Sequence, residues 1–322
     1  MECLFAPMEG ITYAVYRTVH FRLFPGMSEY YTPFIAPDRE GTFKPKFLKE
    51  LTRGEPGMKL VPQLLVNQAD PFVTTARKLQ DLGFSEINLN LGCPSGTVFA
   101  KHKGAGMLTD LPELDALLDS VYTRTEPIGL KVSLKTRMGV HSTEEFSSIL
   151  EIYKKYPVSR LIIHARDRDG QYLSTPDKKG FAEVRNSCSF PVCYNGNIFS
   201  AEDLTEMQQL TGGKLNSVML GRGILANPAL GRQLSGGTPL TAEELQQFHD
   251  TLLDAWLEEG LSPVFTVQRM KQLWYYMIHM YTDYKKEQKA ILKSGSLPEY
   301  RTAVRALFLS GKFDPDGRFR GH

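Results

Sequence analysis

Long apolar runs are missing from this sequence. None approaches the ~20 residues of a membrane-spanning helix, so no association with a membrane is expected. Cysteine is scarce: Cys3, Cys93, Cys188 and Cys193 are the only four in 322 residues. They show neither metal-ligand spacing nor the density of a disulfide framework, and a reduced, cytoplasmic setting is expected. The segment Met1-Glu2-Cys3-Leu4-Phe5 lacks the basic and apolar regions of a secretory signal. Charge of one sign is also missing, because 38 Lys and Arg stand against 36 Asp and Glu. A net charge of +2 does not by itself announce a polyanionic partner. No G-x-G-x-x-G follows the first β-rich run, which weakens a dinucleotide-binding reading.

What is present is an ordinary globular composition, 42% apolar and 23% charged, long enough for one large domain and a small one. Short β-rich runs alternate with helical patterns as far as about residue 232. The strands are expected at Cys3–Ala6, Glu29–Thr32, Val61–Leu65, Glu86–Leu89, Gly129–Leu134, Arg160–His164, Pro191–Tyr194 and Ser217–Leu220. Amphipathic stretches such as Asp70–Leu82, Leu111–Tyr122, Ser142–Tyr156 and Ala201–Leu210 lie between them. Such alternation predicts a parallel α/β fold. Polar residues at the C-terminal ends of nearly all these strands decide for a (β/α)8 TIM barrel, in which they converge on one mouth.

After Arg232 the pattern changes. Ser235-Gly236-Gly237-Thr238-Pro239 reads as a linker. Thr241 with Glu244 forms a capping box at a helix start. Helices are expected at about 241–259, 263–281, 283–294 and 297–310, with no strand. The organisation expected is therefore a barrel over 1–234, a small C-terminal helical-bundle domain over 240–312 and a loose tail over 313–322. From 261 to 322 there are eleven Lys and Arg against five Asp and Glu. That local excess suits a polyanion or a solvated basic surface.

The sharpest local signal is Asn88-Leu89-Asn90-Leu91-Gly92-Cys93-Pro94-Ser95, a cysteine in a Gly/Pro turn just after the fourth strand. A thiol held at a barrel mouth serves as a nucleophile or a general acid. Together with Ala6-Pro7-Met8-Glu9-Gly10, Pro62-Gln63-Leu64, Gly104-Ala105-Gly106-Met107-Leu108, Leu134-Lys135-Thr136-Arg137-Met138-Gly139, Ile163-His164-Ala165-Arg166, Tyr194-Asn195-Gly196-Asn197 and Gly221-Arg222-Gly223, this motif resembles the tRNA-dihydrouridine synthase family. The motifs stand in family order across residues 4–225. Leu91 stands where many relatives carry a second cysteine, and Asn197 where an acidic residue is often seen.

The resemblance implies tightly bound FMN, NADPH as the reducing cosubstrate, and reduction of the C5=C6 bond of tRNA uridines. It implies Cys93 as the catalytic proton donor. It assigns the cofactor to Pro7, Met8, Glu9, Gln63, Lys135, His164, Asn195, Gly196, Asn197, Gly221 and Arg222. Contacts with tRNA are expected from Asn90, Lys101, Arg137, Arg166, Arg269 and Lys271, in a monomer. The rival readings are an FMN barrel reductase of a free small molecule, resembling dihydroorotate dehydrogenase, and a catalytically silent RNA-binding relative.

Overall fold

The computed structural model describes residues 1–52 and 55–321. Its centre is a ring of short strands: β1 (Glu2–Phe5), β2 (Glu29–Tyr31), β3 (Leu60–Val61), β4 (Gln63–Leu64), β5 (Glu86–Leu91), β6 (Lys131–Gly139), β7 (Leu161–Asp167), β8 (Val192–Asn195) and β9 (Ser217–Leu220). They pair in the order β3-β2-β1-β9-β8-β7-β6-β5-β4, every pair parallel. The two ends of that order are consecutive in the chain, separated by Pro62 alone. Proline has no N–H to give a ladder, so the expected third strand is split. Its first half pairs with β2 and its second with β5, and the chain itself closes the barrel.

Strand alternation sets the two faces of this ring. Leu4, Ala6, Tyr31, Val61, Ile162, Cys193 and Met219 fill its interior. Their chain neighbours, such as Phe5, Tyr30, Ile163 and Tyr194, join the larger core between sheet and helices. The same parity decides what the mouth contains. The sequence reading ends the fifth strand at Leu134 and the sixth at His164. Both continue, to Gly139 and Asp167. Leu134 and Thr136 face outward, Thr136 accepting a hydrogen bond from the Tyr153 hydroxyl at 3.0 Å, so Lys135 and Arg137 face inward. These polar residues resemble a loop in sequence, yet a strand accommodates them where its inner face lines a cleft.

Many helices carry the caps their sequences offer. Asp110 accepts the Glu113 amide at the start of Leu111–Thr125, and Asp177 that of Gly180 at the start of Lys178–Ser187. The expected helix Ser142–Tyr156 is shorter, a 3-10 turn at Thr143–Glu145 followed by Phe146–Tyr153. Here Glu145 turns back to accept the Val140 and His141 amides, fixing the end of β6.

The C-terminal region is helical, with Ala242–Glu258, Pro263–Met277, Lys285–Lys293 and Leu297–Ser310 close to the expected spans. The capping box of Thr241 and Glu244 is formed. Phe248 packs edge-on against Tyr16 and Phe24 of the barrel, so one apolar core spans both parts. Two features differ from the sequence reading. Tyr281–Thr282 and Lys312–Phe313 form a small antiparallel pair, because the helix expected to reach 281 ends at Met277. The tail expected to be loose is anchored, with Phe319 only 4% exposed among aromatic rings. His322 lies outside the described residues. No helix among the described residues is long and apolar enough to cross a membrane.

Candidate active site

The barrel mouth holds two adjoining clefts. One, of about 270 Å³, passes over Gln63, Asn90, Cys93 and Arg137. The other, about 50 Å³, is lined by Arg166, Asn195, Gly196, Gly221 and Arg222. They share Pro7, Met8, Lys135, His164 and Tyr172, so they form one continuous site.

The floor under Cys93 is a ladder of interior amides. Asn88 Nδ2 donates to Ser133 Oγ at 3.0 Å, and Gln63 Nε2 donates to Asn88 Oδ1 at 2.7 Å. Asn90 Nδ2 then donates to Gln63 Oε1 at 2.7 Å. The Oδ1 atom of Asn90 accepts the Gly92 amide at 3.1 Å and the Cys93 amide at 2.9 Å. Asn90 therefore holds the cysteine turn from below. From the other side Arg137 Nε donates to the Gly92 carbonyl at 3.0 Å, and its Nη1 to the Asp167 and Gln171 carbonyls. Arg137 is 1% exposed and thus braces two loops. Gly104 closes the turn, since a Cβ there would lie 2.9 Å from that of Cys93.

Burial pushes the Cys93 thiol above its ordinary pKa, and this outweighs a backbone hydrogen bond at Ser95 and the nearby positive charges of Lys135 and Arg137. At neutral pH it is a thiol, competent to give a proton. Lys135 is pushed down to about 8, by burial first and by Arg137 second. His164 lies well below its usual value, because of burial and then the cations Arg137, Lys135, Arg166 and Arg222. Arg166 Nη1 lies 2.9 Å from His164 Nε2. A guanidinium N–H only donates, so Nε2 accepts and the imidazole is neutral with its proton on Nδ1.

At the far end Asn197 Oδ1 accepts from Arg166 Nη2 at 3.0 Å and from Arg222 Nη2 at 2.8 Å. A neutral amide thus joins two arginines where an acid would cancel part of their charge. Arg222 Nη1 is buried without a partner. None of Lys135, Arg137, Arg166 and Arg222 pairs with a carboxylate among the described residues. Three buried guanidinium groups and the half-buried Lys135 are costly without an anion, and the arrangement fits an anionic ligand at the loops after β8 and β9. Gly196 is required there because a Cβ would run into the Tyr194 hydroxyl, whereas at Gly221 a Cβ would make only ordinary contacts, 3.5 Å from Met8 Sδ and 3.7 Å from Ala6 Cβ.

Not all the expected site residues meet at the mouth. Glu9 stands on its exposed rim and accepts from the Tyr13 hydroxyl at 3.1 Å. Asn195 lines the cleft but spends Nδ2 on the Met219 carbonyl at 2.8 Å. Lys101 is exposed on the turn beyond Cys93. Arg269 and Lys271 are elsewhere and engaged within the protein. The Arg269 guanidinium lies 4.9 Å from the Tyr13 ring and 4.5 Å from that of Trp256, and the Lys271 ammonium donates to the Ser294 carbonyl. Sequence reasoning assigned no role to Asn88 or Tyr172. Asn88 is two residues before Asn90 on the same strand face, a signal that was available. The Tyr172 ring covers His164 at 5.6 Å and the Arg222 guanidinium at 4.4 Å from a loop that periodicity does not reach.

The fold and this mouth define an α/β-barrel protein with a thiol at one end of a cationic cleft. A sequence model of the dihydrouridine synthase (Dus) family matches residues 4–294, and the chain belongs to that family. Among curated relatives, the tRNA-dihydrouridine(16) synthases of Aquipseudomonas alcaligenes and Pseudomonas putida are each 29% identical. Their alignments cover 84% of this chain and 89% and 86% of theirs. The Escherichia coli K12 enzyme of the same name is 26% identical, covering 81% of this chain and 82% of its own. Solved structures share the barrel alone. Morphinone reductase superposes with a TM-score of 0.50 at 11% identity, over 74% of this chain and 86% of that one. The Bacillus cereus spore cortex-lytic enzyme SleL gives 0.51 at 12%, over 74% and 75%.

Proposed function

We propose that this protein is an FMN-dependent tRNA-dihydrouridine synthase that uses NADPH as reductant and Cys93 as proton donor. One observation carries the reading: a neutral thiol and an uncompensated cationic cradle share a single cleft. The unpartnered Arg222 Nη1, with Arg166 and the backbone at Gly196 and Gly221, fits the phosphate of FMN. Lys135 faces the same space with no hydrogen-bond or ion-pair partner among the described residues and suits an electron-rich carbonyl edge. Held by these residues, a flavin would supply the hydride chemistry that links a nicotinamide reductant to C6 of a uracil.

The remaining steps belong to the chain. Asn90 and Arg137 hold the Cys93 turn, so the thiol is presented to C5 without reorganisation. The S–H bond breaks, the C5–H bond forms, and the resulting thiolate takes a proton from solvent to restore the thiol. Lys135 and Arg137, already beside the sulfur, stabilise the charge that appears there. The uridine leaves its stack to enter the mouth.

Backbone contacts with tRNA are assigned to Lys101 and to the exposed lysines of helix Lys285–Lys293, namely Lys285, Lys286, Lys289 and Lys293. These replace Arg269 and Lys271, which are held internally. Position 16, the one in the relatives' names, is the first to map. The test incubates the purified protein with NADPH and tRNA lacking dihydrouridine. Formation of dihydrouridine in tRNA and none from free uridine or orotate is expected. A colourless protein that takes up no FMN, or reduction of the free pyrimidines alone, overturns the reading.

A further inference from the structure

Residues 314–321 run back from the helical region to the barrel mouth. Their path is fixed by the Asp314 amide on the Met280 carbonyl at 2.8 Å and the Gly317 amide on the Asp314 carbonyl at 2.9 Å. A Cβ at Gly317 would lie 2.8 Å from the Met280 Cα, so glycine permits the close approach. Arg318 reaches across to Glu202 at 2.6 Å, on the helix after β8. Phe319 is then inserted among Phe199, Tyr275, Tyr276 and His279, with ring centres 5.1 to 5.9 Å away.

The Phe319 ring centre lies 5.5 Å from the Arg222 guanidinium, while Tyr172 approaches the same group at 4.4 Å. Asn197 fixes only Nη2. The aromatic rings hold the guanidinium's orientation while leaving Nη1 unpaired for a ligand. We propose that Phe319 is a positioning residue for Arg222, making residues 314–321 part of the cofactor site. Phe319 touches no reacting group. Its contribution is to keep a long, flexible cation at the place where an anion's oxygen arrives, so less ordering accompanies binding. The role is confined to the phosphate end, because neither Phe319 nor the rings of Phe199, Tyr275, Tyr276 and His279 around it line the cleft that holds Cys93.

The inference rests on reading the cradle as the FMN phosphate site, and the experiment separates the two. Full-length protein stripped of flavin is titrated with FMN and with riboflavin, which lacks the phosphate. Phe319→Ala is expected to weaken FMN about tenfold, the scale of one cation–aromatic contact, and to leave riboflavin affinity unchanged. Phe319→Leu keeps the buried bulk without the ring and is expected to show the same split, with the wild-type melting temperature. Loss of FMN and riboflavin affinity by one common factor in Phe319→Leu, or no change in either, overturns the positioning role. A wild-type protein that prefers riboflavin to FMN overturns the phosphate reading itself, and this proposal with it.

Discussion

The side-chain oxygen of Asn90 accepts the backbone N–H of Cys93 at 2.9 Å, while its amide nitrogen donates to Gln63 at 2.7 Å. The turn carrying the thiol therefore hangs from the barrel interior. Asn90→Ala strands the Cys93 amide and the Gln63 oxygen, and an unpaired buried polar group costs about 1–3 kcal/mol. A lowered denaturation midpoint and slower tRNA reduction are expected, with NADPH-driven flavin reduction nearly normal. An unchanged midpoint with unchanged tRNA reduction would show that the ladder does not support the turn.

Arg222→Ala removes the cation whose Nη1 has no partner. FMN content after purification is expected to fall, and FMN titration to show weaker binding by about tenfold or more, as for loss of a charge-assisted contact. Riboflavin binding should change little. Equal FMN retention in the variant and the wild type contradicts the assignment.

Much of this mouth was legible in the sequence, because the motifs name residues on the inner faces of β4 to β9. The boundaries were less so. Lys135, Arg137 and Arg166 look like loop residues after an apolar run, yet they continue their strands, since burial at a ligand cleft overrides the apolar pattern. The split at Pro62 follows from proline chemistry but needs the neighbouring strands to show which half pairs where. Phe319 was invisible because Phe199 and Arg222 lie far from it in sequence, and Tyr172 because it stands in a loop without periodicity. Arg269 illustrates the converse: a basic residue in a basic segment proves to be packed between two aromatic rings.

That packing separates two kinds of cation. Lys286→Ala with Lys289→Ala is expected to weaken tRNA binding and make its salt dependence shallower by about two counterions, with melting unchanged. Arg269→Ala is expected instead to lower the melting temperature, because Trp256 and Tyr13 lose their shared partner. Fluorescence titrations at several salt concentrations distinguish them. An unaltered salt slope in the double lysine variant moves the RNA surface elsewhere.

Acid should weaken the fold through His20. Its ring lies 2.8 Å from the Tyr30 hydroxyl and 2.8 Å from the Pro228 carbonyl, and burial lowers its pKa to about 4. The unfolded chain takes up this proton first, so the stability is fully present above the unfolded value near 6.5 and is lost as pH falls towards 4. By pH 5 the loss is on the order of 2 kcal/mol. Denaturant melts at pH 7 and pH 5 should differ less in His20→Gln, which keeps one donor and one acceptor without titrating. The same pH difference in both proteins removes His20 as the cause.

The central claim is that Cys93 gives the proton to C5, and its most direct test is single-turnover reduction of tRNA by prereduced enzyme. Cys93→Ala leaves the cradle of Arg166, Asn197 and Arg222 untouched, so NADPH should reduce the bound flavin at close to the wild-type rate. Transfer to tRNA should slow by roughly 10²–10⁴-fold, the size of a general-acid contribution. Cys93→Ser, a much weaker acid of similar shape, should also be slow. Wild-type single-turnover rates on tRNA in Cys93→Ala would contradict the account.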